Sequence, residues 1–155
     1  MTTSPNSPPA DWHAHLLDSD DEIRELLRRV ARVAVLGIKT EAQSFLPAFY
    51  VPEFVQSAGY EIVPVPVYYP EVTTILGERV YRSIAEIPGT VDLVNVFRRS
   101  KDVSAHVDDV LAKRPGAVWM QSGIRNDEVA ERLAREGIDV VQDRCLMVEV
   151  RRLGG

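Results

Sequence analysis

Sulfur is scarce in this chain: Cys145 is the single cysteine among 155 residues. One cysteine cannot close an internal disulfide, so the core must hold the fold, and a reducing, cytoplasmic setting is expected. Long apolar runs are missing too. None approaches the ~20 residues that a membrane-spanning helix needs. No apolar stretch follows a basic start, so no signal peptide is expected. Positive charge is in deficit, with 18 Lys and Arg against 23 Asp and Glu and a formal net charge of -5. That balance argues against general affinity for nucleic acid. Histidine numbers only 3. His13 and His15 lie near the N-terminus and His106 reads as a helix surface residue, so no Ser/His/Asp order and no metal-ligand spacing emerges. Two nucleotide signatures are absent. Gly37 stands alone where G-x-G-x-x-G would need company, and no G-x-x-x-x-G-K-[ST] occurs.

What remains is an ordinary globular composition, 45% hydrophobic and 26% charged, at a length that suits one domain with a substantial core. Residues 1–12 (MTTSPNSPPADW) are rich in Ser, Thr and Pro and are expected to be a flexible tail, leaving 13–155 as a single folded domain. Ser19 and Glu22 have capping-box spacing, and Ile23, Leu26, Leu27 and Val30 follow at helical intervals, which predicts an amphipathic helix covering one edge. From Arg32 onward short apolar runs alternate with helical patterns. Strands are expected at 32–37, 60–67, 91–97, 117–122 and 138–143. Helices are expected at 48–58, 102–114, from Asn126 to Glu136, and at 145–153. Pro52 is tolerated only in a first helical turn, which places the second helix start near Ala48 and leaves about ten residues of loop after Gly37. Between the second and third strands, 75–83 suggests a small hairpin, and Ser83 with Glu86 a short capped helix. Alternating strands and helices imply an α/β, Rossmann-like doubly wound parallel five-stranded sheet in three layers, with an extra N-terminal helix. The expected strand order is 3-2-1-4-5.

In open α/β sheets ligands sit beyond the carboxyl ends of the strands. Four of the five predicted ends carry a cation: Lys39, the Arg98–Arg99 pair, Arg125 and Arg144. Glycines and hydroxyl residues accompany them, and Tyr68 and Tyr69 follow the second strand with faces on which a base could stack. Together these favour an anionic, nucleotide-like ligand. The competing reading is that the cations pair with rim acids such as Asp143 or Glu71. A nicotinamide dinucleotide fits poorly, because no acidic residue ends the second strand to hold ribose hydroxyls. Cys145, near a predicted helix start, reads either as a thiol of lowered pKa or as a packed small apolar residue.

Several stretches taken together resemble a known family: VAVLG (33–37), GYEIVPV (59–65), LGERVYRSIAEIP (76–88), VDLVNVFRRS (91–100), AVWMQSGIRNDE (117–128) and VVQDRCLM (140–147). They are similar to the small, single-domain CoA-binding proteins and to the CoA-binding domain of the succinyl-CoA synthetase alpha subunit. The resemblance runs from about Val33 to Glu149. It implies that coenzyme A or an acyl-CoA binds at the strand ends. The phosphate loop would map to Gly37, Ile38, Lys39 and Thr40, with Ser44 further on. The second strand end would supply Val65, the FRR turn Phe97, Arg98 and Arg99, and the turn after the fourth strand Gln121, Ser122, Gly123 and Ile124. Two departures stand out. The first loop reads G-I-K-T-E-A-Q-S where the family often has G-A-S, and Pro64-Val65-Pro66-Val67 replaces P-V-N-P. The related ligase carries its phosphorylated histidine on a second domain, which is not expected here. Binding without evident catalytic machinery is therefore expected, the alternative being a nucleotide-dependent enzyme or ligase subunit, using NAD(P) or ATP, with a partner chain. Expected partners are a small nucleotide ligand, no nucleic acid and no membrane, with a homodimer or partner enzyme left open.

Overall fold

The computed structural model describes residues 11–154. Residues 1–10 of the expected tail therefore lie outside the described residues. Trp12, also assigned to the tail, instead opens a 3-10 turn over Trp12–His15 that Asp11 caps by accepting the His13 N–H. His15 then ties this segment to the domain through Asp139, 2.7 Å away.

Helix α1 (Asp20–Arg29) starts as its sequence predicts. Ser19 Oγ accepts the Glu22 N–H at 3.2 Å, and Glu22 accepts the Ser19 N–H at 3.0 Å. Ile23, Leu26 and Leu27 are buried on one side. The helix lies on a face of the sheet beside the last helix and does not cover an edge. Strand β1 (Arg32–Leu36) leads through a loop to α2 (Pro47–Ser57) and strand β2 (Glu61–Val65). A hairpin follows, β3 (Thr74–Ile75) and β4 (Glu78–Arg79), turned by Leu76 and Gly77, both at positive φ. The remaining elements are β5 (Leu93–Val96), a 3-10 segment Ser100–His106 running into α3 (Val107–Lys113), β6 (Ala117–Met120), α4 (Asp127–Arg135), β7 (Asp139–Val141) and α5 (Leu146–Leu153). Asn126 caps α4 by accepting the Val129 N–H.

The main sheet has five parallel strands in the order β2-β1-β5-β6-β7. One hydrophobic cluster packs α3, α4 and the 84–91 segment against one face; the other packs α1, α2 and α5 against the opposite face. The three-layer doubly wound architecture is as expected, but the strand order is not. Numbered among the five strands it is 2-1-3-4-5, because the 66–92 connection, which contains no helix, crosses back past β1 on one face through Ile84, Ile87 and Val91. The Ser83–Glu86 box closes, with Glu86 accepting the Ser83 N–H at 3.1 Å, yet it holds a single turn and no helix.

Pro52 also departs from expectation. It sits inside α2, five residues beyond Pro47 and not in the first turn. It has no N–H to give the carbonyl of Ala48, four residues earlier. The Lys39 N–H takes that place, donating to Ala48 O at 3.1 Å. The helix interruption thus anchors the loop after β1.

Both sheet edges are met by other parts of the chain. Leu16 bridges Val140 in parallel, and the Leu17 N–H donates to Val140 O at 2.9 Å. On the other side the Tyr81 N–H donates to Pro64 O at 3.0 Å. Pro64 fits an edge strand because its nitrogen, like its carbonyl, faces away from β1.

Candidate functional site

The order 2-1-3-4-5 puts the topological switch between β1 and β5, where a doubly wound sheet opens a crevice at its carboxyl end. Gly37 ends β1 there with φ +87°, and its N–H donates to Val65 O at 2.9 Å. A Cβ at this position would lie far inside contact distance of the Phe97 carbonyl oxygen and 3.1 Å from its carbon. Only glycine lets the two strand ends approach this closely while the chain turns.

The chain then dives. Ile38 is 1% exposed and packs in the core with Phe49 and Val55 of α2, so the loop presents the backbone of Ile38 and not its side chain. The Ile38 N–H has no protein acceptor among the described residues. Thr40 is buried, and both its N–H and its hydroxyl donate to Gln43 Oε1, at 3.1 and 2.6 Å. Gln43, which sequence reasoning passed over, therefore holds the loop from within. Ser44 is exposed just after that turn. Val65 is 1% exposed, and its carbonyl is occupied by Gly37.

The rim cations divide into two groups. Arg99 pairs with Asp102 at 3.0 Å, Arg125 with Asp127 at 3.1 Å, and Arg144 with Asp18 at 3.0 Å and Glu149 at 3.7 Å. The acids are thus different from the anticipated Asp143 and Glu71. Lys39 and Arg98 have no carboxylate partner among the described residues. Lys39 Nζ hangs between two rings, 5.4 Å from the centroid of Tyr68 and 5.6 Å from that of Tyr69. Those tyrosines meet edge to face, with Tyr68 57% exposed. Their loop is gathered by Arg82, whose guanidinium donates to the carbonyls of Tyr68, Tyr69, Pro70 and Val72 at 2.7–3.2 Å.

Arg98 Nε donates to His106 Nε2 at 3.2 Å. His106 is half-buried and faces this arginine, where the sequence suggested a surface residue. Its pKa is held below the usual imidazole value, first by burial and then by the Arg98 charge, with Asp109 and Asp102 opposing. A neutral ring is what the acceptor role requires. Phe97 is half-buried beside these groups.

The turn after β6 is more occupied than its sequence suggests. Gln121 is 4% exposed, and its Oε1 accepts from Asn95 Nδ2 and from the Leu146 N–H, both at 3.2 Å. The Gly123 N–H donates to Asp143 at 2.7 Å, and the Ile124 N–H to Gln121 O at 2.8 Å. Ser122 is exposed, and its N–H has no protein acceptor among the described residues. Cys145 caps α5, half-buried, with no hydrogen bond from its thiol among the described residues. The structure thus places Gly37, Ile38, Lys39, Phe97 and Arg98 together just beyond the carboxyl ends of β1 and β5 and leaves Gln121 and Gly123 tied to protein partners. Among the described residues there is no group of three metal-ligating side chains, and no helix is long and apolar enough to cross a membrane.

Comparison with known proteins gives this crevice a context. Residues 31–151 match the family described as CoA binding domain. The chain is 35% identical to the uncharacterised protein YneT of Bacillus subtilis (strain 168) over 130 residues, 84% of this chain and 93% of that one. The structure of cell-free ID.343 from Thermus thermophilus is 40% identical with a TM-score of 0.80, covering 88% of this chain and 99% of that chain. A hypothetical protein from Pyrococcus horikoshii OT3 is 28% identical with a TM-score of 0.79, covering 98% and 100%. The fold alone recurs in a dinucleotide-forming acetyl-coenzyme A synthetase 1 of Ca. Korarchaeum cryptofilum, at 20% identity and a TM-score of 0.59, over 75% of this chain and 26% of that one. With the match spanning nearly all of its folded length, the chain belongs to the CoA-binding domain family.

Proposed function

We propose that the protein binds coenzyme A, free or as an acyl thioester, across the carboxyl ends of β1 and β5. The observation that carries this reading is the pair Lys39 and Arg98, two cations with no carboxylate partner among the described residues, at the switch point of an acidic chain. Uncompensated cations beside free backbone N–H groups suit the pyrophosphate or 3′-phosphate of the ligand. The exposed Tyr68 ring offers a flat surface to adenine. Lys39 now rests on that ring and its neighbour, so ligand binding would exchange a cation–π contact for a phosphate contact at little cost.

Calorimetric titration with CoA, acetyl-CoA, NAD and ATP tests the reading. CoA and its thioester are expected to bind below millimolar and to outcompete NAD. Arg98→Ala should weaken CoA binding by about 1.5–3 kcal/mol, the worth of one charge-assisted hydrogen bond, which is roughly 10- to 150-fold. Absence of CoA binding below millimolar would overturn the function, and unchanged affinity in Arg98→Ala would show the phosphates to lie elsewhere.

A further inference from the structure

Among the described residues, one buried side-chain polar atom in the sheet lacks a partner. Asn95, on the central strand β5, is 1% exposed, and its Oδ1 accepts no hydrogen bond among the described residues. Its orientation is fixed by its neighbours. The Leu146 N–H can only donate, so the Gln121 atom it meets must be the carbonyl oxygen. The Asn95 atom 3.2 Å from that same oxygen must then be the amide nitrogen. Flipping Gln121 would set donor against donor, and flipping Asn95 would set acceptor against acceptor. Asn95 is flanked by Val35 of β1 and Trp119 of β6. Its nitrogen is engaged by Gln121, just beyond β6, which leaves the oxygen as the free end of the amide on the strand that borders the switch point. The Trp119 indole N–H cannot satisfy it, since that group donates to Arg144 O at 2.8 Å. An unsatisfied buried acceptor is costly and rare. Next on the same face toward the rim is Phe97, half-buried and packed against the same cluster.

Resting on the CoA reading above, we propose that Asn95 is a ligand-binding residue whose Oδ1 accepts a hydrogen bond from the pantetheine arm. Donors of the right kind on that arm are its two amide N–H groups and its hydroxyl. The arm reaches Oδ1 by displacing the Phe97 ring. The site then has two parts of different chemistry: cations at the rim for phosphate, and a buried amide below them that recognises the uncharged arm. A ligand with the adenosine and phosphates but no arm leaves Asn95 untouched.

The test is calorimetric titration of the native protein and Asn95→Leu with CoA and with adenosine 3′,5′-bisphosphate, which lacks the arm. Leucine has a similar volume and removes the orphan acceptor, while Gln121 keeps the Leu146 N–H. The expected result is a melting temperature for the free variant at or above native. CoA affinity should fall about 5- to 100-fold, the range for leaving a buried hydrogen bond unmade, with adenosine 3′,5′-bisphosphate affinity unchanged within twofold. Equal CoA affinity in the two proteins overturns the proposal, and so does an equal loss for both ligands, which would mark Asn95 as a structural or water-binding residue. Should the leucine variant fail to fold, Asn95→Ala removes the amide without added volume and is judged by the same two affinities. If the native protein binds no CoA, the functional reading itself falls; CoA binding that survives the substitution sinks only the role of Asn95.

Discussion

Replacing Gly37 by alanine tests how closely the two strands flanking the crevice must approach. The residue has φ +87°, which costs an L-residue about 1–2 kcal/mol. The added methyl also meets backbone, not a side chain that could swing away: the carbonyl of Phe97, with Arg98 Cδ 3.5 Å off. Relief requires the ends of β1 and β5 to separate. That strains two hydrogen bonds at this point, Phe97 N–H to Leu36 O at 2.8 Å and Gly37 N–H to Val65 O at 2.9 Å. At about 0.5–1.5 kcal/mol for each bond, the total loss is about 2–5 kcal/mol. For a chain of this size that is a drop of about 4–20 °C in melting temperature. Gly137→Ala supplies the control. Its φ is +82° but nothing lies within 4 Å of its Cβ position, so it should lose only the conformational part, about 1–2 kcal/mol. Urea unfolding of both variants measures the difference. Equal losses would refute the close approach of β1 and β5 and with it the geometry of the crevice.

Two other outcomes follow from single contacts. Pro52→Ala restores an N–H that competes with Lys39 for the Ala48 carbonyl. Amide exchange at Lys39 should accelerate by about 2- to 10-fold, the worth of one shared hydrogen bond, with no loss of global stability; unchanged exchange would show that the loop is held by other means. His106 has a folded-state pKa below its unfolded value, so the unfolded chain takes up the proton first. Its contribution to stability is complete above the unfolded value near 6.5 and is lost as pH falls from there through the lowered folded value. His106→Gln should flatten that part of the stability–pH curve between about pH 7 and 5, and a curve of undiminished slope would assign it to other groups.

Much of the fold could be read from local chemistry. The Ser19 box, the Asn126 cap and the five apolar runs are interactions between near neighbours, and each appears at its expected place within a few residues. The strand order could not be read, because it depends on how residues 66–92 pack across a face. That segment's hairpin could be read locally, but nothing in the segment announces the face on which the chain returns. Pro52 was misplaced for a similar reason. A proline inside a helix is excluded by local rules, and what makes it acceptable is a donor thirteen positions earlier in the chain. The site divides along the same line. Lys39 and Arg98 were visible as cations after strands, whereas their lack of acidic partners among the described residues is a tertiary fact. Arg99, Arg125 and Arg144 look the same in sequence and are paired in space. Gln43 and His106 carried no signal at all, and Asn95 only the weak one of a polar residue in an apolar strand.

The two occupied sheet edges bear on how copies of this chain can associate. Edge-to-edge pairing between subunits needs a run of free donors and acceptors along an outer strand. Here the outward carbonyl of Val140 is already taken by Leu17. Across the sheet, Pro64 offers no donor and its carbonyl is held by Tyr81. Continuation of the main sheet into a second copy is therefore blocked at Val140 on one edge and at Pro64 on the other, and edge-to-edge pairing of copies would have to do without these positions.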